Sequence, residues 1–279
     1  MKFIKYLVLT MIFSSAAIYC AKDNTLLIIN YNHPHYQSIP LLQKIYEPYF
    51  KNIVFYGPTQ DPRVNLCQHH MGYLSYLTIS DAMQRYPDYD SYLFLMDDCI
   101  LSTWLLDNLD DSKIWYASIG FLNNCSMGAP ADLTKGSQAI FWDWWNTPWG
   151  CGPMTNAYNE LPEKYKKTLA ENYGPHTVVA AFSDVVHIPS TYKNEFIELA
   201  QIFGKHRAFL ETALPTMVSC FSLRSDWIPL HGNSTYGPGY VNAYSDFKPD
   251  AHFNHPIKLS FKDNRAFVEQ TFETYIDKD

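Results

Sequence analysis

The chain has 279 residues, 47% of them hydrophobic and 16% aromatic, with a formal net charge of -7. So much apolar and aromatic material excludes a disordered chain and supports a large core. The mildly acidic balance, with no long basic run, excludes a nucleic-acid footprint.

At the N-terminus, Lys2 and Lys5 precede an uncharged stretch from Tyr6 to Ala21, whose far end is crowded with Ser14, Ser15, Ala16 and Ala17. This pattern predicts a secretory signal peptide over residues 1–21, cleaved near Cys20 or Ala21, with a short signal anchor as the alternative. The run falls short of the ~20 apolar residues of a spanning helix. Later apolar runs are all broken by charge, Pro or Gly. Membrane contact is therefore expected only if the first segment stays as an anchor, and the expected location is the secretory pathway, in the Golgi lumen or secreted. The sequons Asn124-Cys125-Ser126 and Asn233-Ser234-Thr235 agree with that location. Beyond the leader stand Cys67, Cys99, Cys125, Cys151 and Cys220. In an oxidising compartment some should pair, and Cys125 with Cys151 is the expected bond because both flank Gly/Pro-rich loops. An odd number leaves at least one thiol free. The absence of CxxC spacing argues against a cysteine zinc site.

In chain order, TLLIIN (Thr25–Asn30) reads as a buried strand. PLLQKIYEPYF (Pro40–Phe50) has helical spacing, with Pro40 suited to a first turn. NIVFYGP (Asn52–Pro58) is a second strand. Gly72–Pro87 is an amphipathic helix on the spacing of Leu74, Leu77, Thr78, Asp81 and Ala82. SYLFLM (Ser91–Met96) is a third strand. Strands are further predicted near Ile114–Ile119 and Gln138–Trp142, followed by long loops and a helix near Pro162–Glu171. One or two strands follow within TVVAAFSDVVHIPSTY. The next segment reads as two helices broken at Gly204, the first presenting Phe196, Leu199, Ala200 and Phe203 on one face. Nothing repeats and no low-complexity linker appears. The expectation is one α/β domain over residues 22–279, with a Rossmann-like parallel first half and a mixed second half.

Ligands of such open sheets sit outside the carboxyl ends of the strands, where Asp97 and Asp98 follow the third strand. Two adjacent carboxylates need a counter-charge, and a hard cation with oxygen ligands, Mn2+ or Mg2+, would supply it. It could bridge the phosphates of a nucleotide and stabilise a diphosphate leaving group. The plainer alternative is an Asx-type turn whose carboxylates cap backbone N–H groups.

The strand–Asp-Asp–strand pattern after this βαβαβ start resembles the GT-A fold of nucleotide-sugar glycosyltransferases. More specifically, YLFLMDDCILSTWLLDNLDDSKIW resembles the acidic block of the STELLO-type glycosyltransferases, which also read Asp-Asp followed by a non-acidic residue. SDVVHIPSTYKNEFIELAQI resembles a second block of that family, and NHPIK (Asn254–Lys258) its late His-Pro element. The likeness is patchy between about Ile28 and Lys258, and exostosin-like transferases share the pattern more distantly. A full Asp-X-Asp would need an acid at Met96 or Cys99, and neither is one.

Resemblance and chemistry together suggest His255 as a third ligand for Mn2+ beside Asp97 and Asp98, against its reading as a surface histidine. Lys258 is a candidate diphosphate contact, against a solvated lysine. Asn30, Tyr31 and Asn32 stand where a GT-A enzyme would hold its nucleotide, although turn capping explains the asparagines equally well. The acceptor base would be Asp184 or Glu211, whose plainer readings are a strand-edge cap and a salt-bridged helix acid. Trp142, Trp144, Trp145 and Trp149 are candidates for stacking on sugar rings, against core packing.

The implied function is a metal-dependent glycosyltransferase moving a sugar from a nucleotide-sugar donor to a glycan or protein acceptor. The alternative is a non-catalytic GT-A-like carbohydrate-binding or scaffolding protein. A hydrolase using Asp97 and Asp98 as acid and base is disfavoured, because adjacent side chains rarely flank one glycosidic bond at ~5–9.5 Å. GxSxG, P-loop and zincin spacings are absent.

Overall fold

The computed structural model describes residues 22–67, 70–118, 129–139, 142, 144–234 and 246–276. The leader, the first sequon with Cys125, and Thr235 of the second sequon lie outside them. Three strands open the fold: β1 (Thr25–Asn30), β2 (Asn52–Gly57) and the short β3 (Val64–Leu66). β4 (Ser91–Met96) follows, and β1 pairs in parallel with both β2 and β4. Every residue of β1 and β4 is buried, as expected of central parallel strands covered on both faces.

The sheet continues through β5 (Ile100–Leu101), β6 (Trp115–Ser118), β9 (Val185–Pro189), β10 (Ile228–Ser234) and β11 (Phe253–His255). Its nine strands run in the order β3-β2-β1-β4-β9-β6-β10-β11-β5. β9 is antiparallel to β4 and β6, and β5 is antiparallel to β11. The mixed second half is thus realised. A separate antiparallel pair is formed by β7 (Ala129–Asp132) and β8 (Thr177–Ala180).

This order forces the sheet to curl. β4 is fourth in the sheet and β5 is ninth, yet only Asp97, Asp98 and Cys99 separate them in the chain. Four Cα steps reach at most about 14 Å. Five strand spacings across a flat sheet would be about 24 Å. The far edge must therefore fold back over the carboxyl end of β4.

Helices cover both faces: α1 (Ile39–Tyr46), α2 (Tyr76–Arg85), α3 (Cys151–Glu160), α4 (Glu163–Tyr173), α5 (Lys193–Lys205), α6 (Leu210–Phe221) and α7 (Lys262–Ile276). Several bounds differ from the sequence expectation for identifiable reasons. α1 ends at Tyr46 with Glu47 as its C-cap, still helical in φ and ψ and donating its N–H to Gln43 O, and Pro48 follows. α5 runs through Gly204 and ends at Lys205; the chain turns at Arg207, whose φ is +56°. Gly204 serves packing instead, since a Cβ there would stand 2.8 Å from Leu77 of α2. α3 was expected as loop, but Pro153 falls in its first turn, where no N–H is needed. The strand expected at Gln138–Trp142 is not formed at its start, because Gln138 closes a 3-10 segment beginning at Leu133. β7 contains Pro130, tolerated because the residue is exposed on a two-stranded ribbon.

Among the described residues Cys67, Cys99, Cys151 and Cys220 are free thiols, and Cys151 faces Thr155 of its own helix at 3.9 Å. The pairing expected between Cys125 and Cys151 involves a residue outside the described ones. In the second sequon, the Asn233 amide nitrogen donates to Asp246 O at 2.6 Å and Asn254 Oδ1 at 3.1 Å. A glycan there would replace one of the two amide hydrogens and cost at least one of these bonds. Among the described residues no helix is long and apolar enough to cross a membrane.

His187 on β9 illustrates what the core demands. Its fully buried ring stacks on Trp115 with centroids 3.9 Å apart. Nδ1 lies 3.0 Å from Lys113 O, while Nε2 meets no partner among the described residues. Burial pushes its pKa down to about 3, against ~6.5 for a free histidine. The unfolded chain therefore binds the proton first, and stability falls as pH drops through 6.5 towards 3. Between pH 7 and pH 5 this residue should cost the fold about 2 kcal/mol. Urea unfolding of the wild type and His187→Phe at both values checks this. The variant should show a shallower pH dependence by that amount, and parallel curves would refute it.

Candidate active site

The carboxyl ends of β1 and β4 meet the curled-back edge at Asp97 and Asp98. Backbone bonds fix this loop: Asp97 N donates to Asn30 O at 3.0 Å, and Ile257 N donates to Asp98 O at 2.7 Å. The segment following β11 is thereby pinned against the doublet, bringing His255 and Lys258 to it from the far end of the chain. The Lys258 ammonium is hydrogen-bonded and ion-paired to Asp98 Oδ2. His255 Nε2 lies 3.0 Å from Asp184 Oδ2 and 3.7 Å from Asp98 Oδ1. Asp184 joins through the antiparallel neighbour of β4, its carbonyl accepting Met96 N at 3.0 Å.

The electrostatics follow from burial and crowding. Asp97 is held well above the usual carboxylate range, by burial first and then by Asp98. Burial also opposes ionisation of Asp98, but His255 and Lys258 outweigh it and hold that carboxyl below its ordinary value. Asp184 is pushed well up by burial, with Asp98 and Glu211 adding repulsion. Burial lowers His255 to about 4, so the imidazole is neutral at pH 7. Desolvation pulls Lys258 down, but the surrounding acids win and keep it charged.

Above the doublet lies a cavity of about 340 Å³ lined by Asn32, His33, His35, Asp97, Asp98, Lys258, Leu259, Ser260 and Phe261. That volume is in the range of small-ligand sites. Asn32, Asp97, Asp98 and Lys258 were expected from sequence. His33, His35 and the Leu259–Phe261 turn were not.

Asn30 and Tyr31 do not line this cavity. Asn30 is fully buried, donating to Ser75 Oγ at 3.1 Å and accepting from Thr78 Oγ1 at 3.0 Å. The Tyr31 hydroxyl pairs with Ser38 Oγ at 2.7 Å in the core. Both side chains pack in the interior and neither lines this cavity. Glu211 sits in the first turn of α6, its Oε2 accepting Trp142 Nε1–H at 2.6 Å. The tryptophans separate: Trp145 is buried and donates to Gly136 O at 3.0 Å, Trp149 lies under the Arg207 guanidinium, and Trp144 is exposed.

The donor types, carboxylate oxygens and one imidazole nitrogen, suit Mn2+ or Mg2+. A closed cage is not preformed: among the described residues no group of three or more His, Cys, Asp or Glu is arranged to hold an ion. Lys258 already occupies Asp98, and His255 already faces Asp184. The expected trio of Asp97, Asp98 and His255 is therefore gathered but not set as ligands.

Asn30→Ala should remove the bonds to Ser75 and Thr78, leaving Ser75 Oγ on Gly72 O and Thr78 Oγ1 on Cys67 Sγ, and cost about 1–3 kcal/mol in urea unfolding. The affinity of the folded protein for a nucleoside diphosphate should not change. A fully stable Asn30→Ala protein with lost affinity would restore Asn30 as a ligand contact.

No family model matches the chain. Among curated proteins it is similar to "Probable glycosyltransferase STELLO1" of Arabidopsis thaliana, 20% identical over 244 residues, covering 85% of this chain and 30% of that protein. "Probable glycosyltransferase STELLO2" of the same organism is 19% identical over 243 residues, with the same coverage. The chain thus spans 30% of the length of these relatives. Among solved structures, the WbbM bifunctional glycosyltransferase in its apo form has a TM-score of 0.47 and 13% identity, covering 91% of this chain and 52% of that one. A glycosyltransferase involved in glycosylation of the major capsid of PBCV-1 has a TM-score of 0.39 and 12% identity, covering 89% and 99%. The long, low-identity match in sequence, joined to an acidic doublet at the end of the fourth strand, makes this chain a distant homologue of the STELLO glycosyltransferases.

Proposed function

We propose that this chain binds a nucleoside diphosphate sugar in the cavity above Asp97 and Asp98 and transfers the sugar to an acceptor hydroxyl, with the help of a divalent cation. One observation carries the reading. Two buried carboxylates, Asp97 and Asp98, and the partly buried Asp184 converge beside a ligand-sized cavity, with Lys258 the one ammonium paired to them among the described residues. If all ionise, the excess is two negative charges, which one divalent ion would balance.

Asp97, Asp98 and His255 would hold Mn2+ or Mg2+, which when bound neutralises the diphosphate and stabilises it as a leaving group. The chain's own residues supply the rest. Lys258, half exposed at the cavity wall, offers a point charge to a phosphate oxygen. Asn32, His33 and His35 offer polar contacts on the opposite wall. Asp184 orients the His255 ring. Glu211 is the acceptor base, because Asp184 already engages His255, whereas Glu211 accepts from Trp142 Nε1–H, a donor that favours its ionised form. The acceptor oxygen bonds to the anomeric carbon, its proton passes to the Glu211 carboxylate, and the bond from that carbon to the diphosphate oxygen breaks. The expected signal peptide over residues 1–21 supports a place in the secretory pathway.

The missing acid at Met96 and Cys99 favours a second reading, a non-catalytic carbohydrate-binding or scaffolding relative. Calorimetric titration with UDP-sugars and Mn2+ separates the two, since only the transferase needs nucleotide binding. Asp98→Ala should lower UDP-sugar turnover roughly 100-fold or more, the scale of a lost electrostatic group at a transition state. Circular dichroism should show the variant folded, and unchanged turnover in that protein would refute the role of Asp98.

A further inference from the structure

We infer that the open face of Trp144, backed by Phe209 and edged by Tyr73, is a carbohydrate subsite that seats the acceptor sugar beside Glu211. The inference rests on the transferase reading above and adds the chemical class of the acceptor to it.

Trp144 is 41% exposed, unusual for so large an apolar ring. It is nevertheless held firmly. Its ring stacks on Phe209 with centroids 5.6 Å apart and an interplanar angle of 23°. Tyr73 meets it edge-on at 5.9 Å, and Tyr73 is itself packed against Phe209 at 4.9 Å and Trp149 at 5.1 Å. The Arg207 guanidinium lies over Trp149 at 5.2 Å. A rigid indole with a supported underside and an open upper face is a platform; stability alone would favour burying it.

Phe209 also connects this platform to the carboxylate. Trp142 packs on Phe209 at 5.1 Å and donates its Nε1–H to Glu211 Oε2 at 2.6 Å. Glu211 follows Phe209 by two residues, at the start of α6. Glu211 is in turn near enough to Asp184 to raise its pKa. A line of contacts therefore runs from the exposed indole, through Phe209 and Trp142, to Glu211 and on to the acidic cluster. A flat apolar face matches a sugar ring, whose axial C–H groups stack on the indole, and the contacts through Phe209 and Trp142 join that face to the Glu211 carboxylate. The donor cavity is lined by other residues, so a nucleobase has its own place and the platform remains for the acceptor.

Saturation-transfer NMR on the full chain tests this, using the methyl glycosides of glucose, galactose, mannose and N-acetylglucosamine as probes and UDP in parallel. At least one glycoside should receive saturation through the C–H protons of one ring face. Trp144→Ala should weaken that binding roughly tenfold or more, the scale of a lost aromatic contact, and Trp144→Phe should retain part of it. UDP binding should be the same in all three proteins, which also controls for folding. Absence of binding by every glycoside, or equal binding by Trp144→Ala, overturns the inference. A wild-type self-association that Trp144→Ala abolishes, without glycoside binding, would assign the patch to protein contact and likewise overturn it. If UDP fails to bind while a glycoside binds through Trp144, the transferase reading fails and the platform stands; UDP binding without glycoside binding is the reverse.

Discussion

Three residues link the fourth strand of the sheet to the ninth, and the rest of the molecule is arranged around that constraint. Asp97, Asp98 and Cys99 are too few to cross a flat sheet, so the sheet bends until its last edge lies over the end of β4. The bend puts β11 and the segment after it against the doublet. Ile257 N on Asp98 O is the backbone bond that closes the contact. Without the curl, His255 and Lys258 would have no reason to meet Asp98, from which they are separated by most of the chain.

Closure creates an electrostatic problem that the fold only partly solves. Burying carboxylates is costly unless they are paired. Lys258 pairs with Asp98, and neutral His255 bridges towards Asp184. Asp97 and Asp184 are left with burial and neighbouring acids raising their pKa and opposing ionisation. A purely structural loop would be more stable with fewer acids. Their retention beside an open cavity is what motivates the proposed cation and diphosphate. The aromatic layer beyond Glu211 extends the same pattern outward, with Phe209 shared between the interior and the surface.

Much of this was legible locally. The continuous apolar runs of Thr25–Asn30 and Ser91–Met96 announced central strands, and the doublet following the second run marked the ligand end of the sheet. Asp98, His255, Lys258 and Asp184 were all named from sequence, and the structure gathers them. Other outcomes turned on orientation. Asn30 ends β1 and Tyr31 follows it; both side chains turn into the core, while Asn32 lines the cavity. Gly204 looked like a helix breaker because glycine usually is one; here it clears space for Leu77. The strand β7 and helix α3 were hidden by Pro130 and Pro153, whose effects depend on whether the missing N–H would have had a partner.

The sequence by itself determined the alternation of elements, the two all-apolar central strands and the placement of paired acids at a strand's end, because these follow from residue spacing within a few turns or pleats. It could not rank four tryptophans of similar context. Tertiary structure alone decided that Trp145 is core, that Trp142 holds Glu211, that Trp149 lies under Arg207 and that Trp144 faces solvent. It alone decided that Lys258 would stand against Asp98. Those outcomes depend on which distant segments a curled sheet brings within a few ångströms, a property of the closed chain that no local pattern encodes.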